Sequence, residues 1–152
     1  MDIQLENKIK KWASTYALPF KVVKALVLIE SGGDTWAVRF EKKWRWYLSP
    51  KTWAKLVQVS EATETVCQQM SWGLCQVMGS VSRELGHSQD ISQLCDPDTG
   101  LKYGCIKLKN EIDRWGSLEK GLAAYNAGNP NSKMGKEYAL KVMRKVDEIN
   151  QV

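Results

Sequence analysis

Glu30 closes an apolar stretch, Ala25-Leu26-Val27-Leu28-Ile29-Glu30-Ser31-Gly32-Gly33, and a carboxylate so placed is a candidate general acid. The apolar spacing predicts a helix, and the two glycines stop it. Leu26 and Ile29 share a helical face with Glu30 and point it into a largely apolar setting. The helix C-terminus adds partial negative charge beside it. Both effects disfavour ionisation, so this carboxyl is expected to keep its proton towards neutral pH, as an acid catalyst must. A carboxylate on a solvated helix end is the alternative that this stretch alone leaves open. Glu41, eleven residues on in Arg39-Phe40-Glu41, is the candidate second carboxylate. It is either a base for water or a partner of Arg39, Lys42 or Arg45 that holds a loop, and the ion pair is favoured. As a surface pair it would be worth on the order of 0 to 1 kcal/mol, so its value would be positional.

The elements that must carry these groups read as helices. Residues 3 to 17 predict an amphipathic helix with Ile9, Trp12, Ala13 and Tyr16 at helical spacing, and Pro19 suits the first turn of the helix ending at Glu30-Ser31. Residues 34 to 48 predict a packed aromatic loop with at most a short helix: Trp36, Phe40, Trp44, Trp46 and Tyr47 alternate with Arg39, Lys42, Lys43 and Arg45. Ser49-Pro50 predicts a helix start, with Ser49 as N-cap. Residues 57 to 70 are polar, weakly patterned and expected to be the most mobile. Further helices are predicted over 74–85, from Asp96-Pro97 to Trp115, from Ser117 onward, and over 135–150; residues 126–131 read as a loop. No hairpin signal stands out. The pattern predicts an all-α fold of about seven helices, and the length of 152 residues a single domain, 1–152.

Net charge is +5, from 22 Lys and Arg against 17 Asp and Glu, which suits an anionic polymer without choosing among glycan, nucleic acid and membrane surface. Seven Trp are many for this length and fit a sugar-facing or interface surface, or simply large core residues. No apolar run is long enough to span a membrane. No basic-then-apolar leader is visible at the start, so synthesis in a cytoplasm, or removal of an export signal, is expected. Cys67, Cys75, Cys95 and Cys105 form no C-x-x-C pair, and His87 is the single histidine, so neither a metal site nor a cofactor is expected. Reduced, buried thiols are the default; Cys95 and Cys105 are the pair that would bridge under oxidising conditions.

Three short patterns stand together: Glu30-Ser31-Gly32-Gly33, Gly73-Leu74-Cys75-Gln76-Val77, and Ala123-Ala124-Tyr125-Asn126-Ala127-Gly128. In this order they resemble the soluble lytic transglycosylase and goose-type lysozyme superfamily, phage or prophage type, over about residues 15 to 147. The resemblance implies a lysozyme-like fold with an irregular aromatic loop after the catalytic helix. It makes Glu30 the catalytic acid, Gln76 a residue facing the glycan groove, and Tyr125 and Asn126 a pair lining the cleft. Tyr138 matches the family's Tyr near the catalytic carboxylate, and Ser71 the Ser before its Gly-Leu-Met-Gln. Core packing with a satisfied hydroxyl is the alternative for both tyrosines, and a helix-end role for Asn126. Cys75 replaces the usual Met, which implies a smaller groove wall, and Ala139 stands where Val is usual. Met78 stands where goose-type enzymes carry an Asp, which argues against their inverting hydrolysis.

The chemistry implied is cleavage of the β-1,4 bond between N-acetylmuramic acid and N-acetylglucosamine in peptidoglycan. With one carboxylate the acetamido group assists, and Glu30 acts as acid and then as base, closing a 1,6-anhydro ring. A hydrolytic muramidase or chitinase using Glu41 is the alternative within the class. A non-catalytic glycan- or nucleic-acid-binding module is the alternative outside it, with stacking on Trp44 and Trp46. Intact Glu30, Gln76, Tyr125 and Asn126 favour the enzyme. The expected partner is a peptidoglycan glycan strand and not nucleic acid. The expected state is a monomer, and the expected place of action the cell wall, reached from the periplasm or the virion, as a phage endolysin or virion-associated lysin.

Overall fold

The structure, a computed structural model, describes residues 1–151. Five helices build the main core, and four of them start at a capping side chain. α1 (Ile3–Thr15) begins where Asp2 accepts a hydrogen bond from the Leu5 N–H at 2.7 Å. α2 (Phe20–Ser31) is the most apolar, burying Val22, Val23, Ala25, Leu26 and Val27, and Gly32 closes it in the left-handed conformation. Further along the chain α6 (Pro97–Trp115), α7 (Leu118–Ala127) and α8 (Lys133–Asn150) are capped by Asp96, Ser117 and Ser132. Their apolar faces meet in one cluster that includes Ile9, Leu26, Leu101, Leu108, Leu122 and Val142. Each such side chain contributes about 1.5–3 kcal/mol by leaving water. Asp98 clasps α1 to α6, accepting from Lys8 and, at 2.7 Å, from Trp12 Nε1. Those bonds, Lys8 first, hold its carboxyl down at about 2.

Between α2 and α6 the chain forms a smaller layer. Three short antiparallel strands lie in the order β1 (Val38–Phe40), β2 (Met70–Trp72), β3 (Val77–Met78). Val38 pairs with Trp72, Phe40 with Met70, and Ser71 with Met78. Around them pack α3 (Pro50–Val57), α4 (Glu61–Gln68), α5 (Gly79–Glu84) and a 3₁₀ turn at Ile91–Cys95. Trp72, Ile91, Leu94, Cys95 and Tyr103 make a second, smaller core. The fold is the predominantly helical, lysozyme-like one expected, with eight α-helices among the described residues rather than about seven.

Four local expectations are corrected. The helix predicted over 74–85 is a turn, a strand and only then a helix from Gly79. Gly73 and Gln76 both have positive φ, +70° and +47°, which folds the chain back from β2 to β3. A Cβ on Gly73 would lie 2.2 Å from the Leu94 carbonyl oxygen, so only glycine fits there. Leu74, Val77 and Met78 are apolar because the whole turn is buried, and that mimics a helical period. The aromatic loop contributes strand β1, not a short helix; two- and three-residue strands are too short to show alternation.

Residues 57 to 70 are anchored rather than mobile. α4 is capped by Ser60, and its polar face hides a buried cluster. Arg83 donates to both Glu64 oxygens at 2.8 Å and to the carbonyls of His87 and Gln89, and its guanidinium lies over Trp53. Gln68 donates to Glu64 and bridges both backbone groups of Leu48. Finally, Ser49 makes no capping bond: it sits at φ +40°, and Pro50 alone opens α3. The four thiols are free; Cys75, Cys95 and Cys105 are buried, and burial pushes Cys105 up to about 12. Among the described residues no helix is long and apolar enough to cross a membrane.

Candidate active site

The C-terminal end of α2 carries Glu30 to the junction of the two layers. Ser31, the next residue, fixes that end: its hydroxyl donates to the Leu74 carbonyl at 2.9 Å. The 73–76 turn is thereby tied to the helix. From the opposite side, α8 brings Tyr138, whose hydroxyl donates to Glu30 Oε1. Burial raises the Glu30 carboxyl above its ordinary range, and this outweighs the Tyr138 bond and the nearby charges of Lys107, Arg39 and Lys141. The direction is the one expected from the apolar helix end. Tyr138 is itself raised, through burial and the adjacent carboxylate, so it stays a neutral donor.

The turn also positions Gln76. Its amide nitrogen donates to the carbonyls of Ala37 (2.9 Å) and Gly73 (3.0 Å), and its oxygen accepts from Ser71 at 2.9 Å. Gln76 thus ties the turn to the start of β1 and to β2, which accounts for its tolerated left-handed backbone. Ser71 is buried between them and has Glu41 Oε1 as a second acceptor at 3.2 Å.

Glu41 accepts from Arg39 Nε at 2.6 Å, and its backbone is paired with Gln69. Of the two sequence-level roles, the geometry realised is the ion pair. Arg39 is 70% exposed, so the pair is screened and its worth is positional. The rest of the aromatic loop divides. Trp44 donates to Ser80 and to the Trp46 carbonyl, and Tyr47 to Gln69, whereas Trp36, Phe40 and Trp46 are exposed.

Tyr125 does not line an open surface. It is buried, and its hydroxyl donates to the Cys75 carbonyl at 2.7 Å, so it supports the turn from below. Asn126 next to it is exposed at the last turn of α7. Cys75 is buried against Gly104 and makes no groove wall; a Cβ on Gly104 would come within 2.4 Å of its Sγ. Glu30, Tyr138 and the 73–76 turn are therefore brought together, Ser71, Gln76 and Glu41 form an adjoining network, and Tyr125 acts through the turn.

Lys107, which no sequence pattern above includes, joins this group in three dimensions. It lies on α6 with its Nζ 3.9 Å from the Tyr125 ring centroid, and it is the leading charge acting on Glu30. A signal existed: Gly100, Gly104, Lys107 and Glu111 recur on one helical face, so that two charged residues continue a row of inward-facing glycines.

Two comparisons bear on this arrangement. The model of the transglycosylase SLT domain matches residues 7–147. A transglycosylase of Enterobacteria phage PRD1 is 28% identical over 105 residues, which is 66% of this chain and 38% of that protein. The chain thus spans well under half the length of that relative. No solved structure matches it.

Proposed function

The chain belongs to the transglycosylase SLT domain family, and on that premise we propose that it cleaves the β-1,4 bond between N-acetylmuramic acid and N-acetylglucosamine in peptidoglycan as a lytic transglycosylase. The observation that carries the proposal is Glu30 itself, a buried carboxyl with a raised proton affinity, held by Tyr138 at the junction of the two layers.

Glu30 donates its proton to the glycosidic oxygen as the bond to C1 breaks. The substrate's acetamido oxygen stabilises the oxocarbenium-like centre. Glu30, now a carboxylate, takes the proton of the muramoyl C6 hydroxyl as that oxygen attacks C1. The proton count closes on one carboxyl, and the product carries a 1,6-anhydro ring. Glu41 supports this scheme by being occupied with Arg39 and Ser71. In this reading Tyr138 aligns Glu30. Gln76 and Ser71 tie the turn to the sheet, Tyr125 supports it from below, and Asn126 offers an exposed amide to the glycan.

The phage relative supports a lysin that meets the cell wall from the virion or as an endolysin. Action as a monomer on a glycan strand, without nucleic acid, belongs to the same reading. Mass spectrometry of digested peptidoglycan tests it: anhydro-muropeptides are expected. Reducing ends would transfer the chemistry to hydrolysis, and absence of cleaved product would refute both.

A further inference from the structure

At Gly104, α6 is pressed against the 73–76 turn, since a Cβ there would come within 2.4 Å of the Cys75 side chain. One turn further along the same face, Lys107 lies over the Tyr125 ring at 3.9 Å. Tyr125 in turn donates to the Cys75 carbonyl, and the neighbouring Leu74 carbonyl accepts from Ser31 beside Glu30. Lys107 is therefore braced, through one ring and one turn, against the residues that hold Glu30. It takes part in none of the ion pairs among the described residues. Its ammonium meets the Tyr125 ring and, among the described residues, no carboxylate within ion-pair distance.

We propose that Lys107 is a positioning residue for the Glu30 proton: its ammonium, braced over Tyr125, stabilises the carboxylate that Glu30 becomes once it has protonated the leaving oxygen. The inference rests on the glycan-cleaving reading of Glu30. A carboxyl that is merely buried holds its proton too firmly to be a good donor, and a fixed cation offsets this. Two other cations face Glu30. Arg39 from β1 is largely neutralised by Glu41 and is 70% exposed; Lys141 from α8 is exposed. Solvent and salt screen both. Lys107 is partly buried and is screened less.

The coupling is mutual. Burial lowers the Lys107 ammonium, and Glu30 is the leading charge opposing that fall, followed by Glu111 on α6 and Cys75 from the turn. Tyr138 on α8 also touches Glu30 and is left unchanged by the test.

The test is a carboxyl-carbon NMR titration of Glu30 in the substrate-free protein. In Lys107→Met, which keeps the aliphatic stem, the Glu30 midpoint should rise by about one pH unit. Lys107→Arg should restore it. In Glu30→Gln, the Lys107 titration should fall by a similar amount, because coupling between two sites is reciprocal. A bracing role alone would alter melting but leave both midpoints in place. An unmoved Glu30 midpoint in folded Lys107→Met overturns the proposal. Should that variant fail to fold, an unmoved Lys107 midpoint in Glu30→Gln overturns it instead. No substrate enters these titrations, so their failure is distinct from failure of the cleavage reading, which is judged on muropeptide products.

Discussion

Tyr138 and Glu30, 108 residues apart in the chain, meet through a hydrogen bond from the phenol to Oε1. Such a bond favours the charged form of the carboxyl and works against the burial that raises it. Tyr138→Phe should therefore push Glu30 higher still, by about one unit for a bond to a charged group. The limb of the kcat/KM profile on which activity falls with rising pH should move to higher pH. Activity below that limb should drop, since alignment is lost. A profile measured on soluble peptidoglycan checks both.

Glu30→Gln should reduce cleavage by about 10²- to 10⁴-fold, the usual worth of a positioned general acid. The same change should also stabilise the fold. A carboxyl raised in the folded state contributes stability that is complete below its unfolded value. That contribution is lost as pH rises through the folded value. Above that window the wild type buries a charge that the glutamine lacks, so the variant should be the more stable of the two there. Urea unfolding at two pH values measures this. Near-normal cleavage by the folded variant would refute the assignment of Glu30.

Glu41→Gln should lower cleavage only a few-fold and shift stability by about 0–1 kcal/mol, as expected for an exposed pair with Arg39. A loss comparable to that of Glu30→Gln, with reducing-end products, would instead make Glu41 a hydrolytic base.

Arg83→Met should cost about 3–5 kcal/mol, because it strands the buried Glu64 carboxylate. Burial raises Glu64, but the hydrogen bonds from Arg83 and Gln68 outweigh it, and the net shift is downward. Its contribution is therefore present above the unfolded carboxylate value and lost as pH falls through the lower folded one. Thermal melts should show the wild type losing this margin in acid and the variant lacking it throughout.

Gly104→Ala should destabilise by about 1–3 kcal/mol by forcing α6 away from Cys75. Since that contact also braces the turn beside Glu30, cleavage should fall with it. A melt and an activity assay at a temperature where the variant is folded separate the two effects.

The sequence by itself determined the helices that carry strong local signals and singled out Glu30 as the candidate acid. Asp96-Pro97, Ser117 and Gly32 set helix boundaries because caps and breakers act within a turn of the chain. Glu30 stood out because its apolar neighbours lie within one helical turn of it and because two downstream patterns, at 73–77 and 123–128, accompany it. Strands of two or three residues carry no readable period, so the sheet at 38–40, 70–72 and 77–78 emerged only in three dimensions. The polar residues of α4 carry no local sign of being anchored, because the partner that holds Glu64 in the interior is Arg83, 19 positions further along. That Tyr125 meets a carbonyl rather than a cleft, that Glu41 pairs with Arg39, and that Lys107 lies over the Tyr125 ring have one cause. Each depends on contacts between elements far apart in sequence, and burial and charge act through space rather than along the chain.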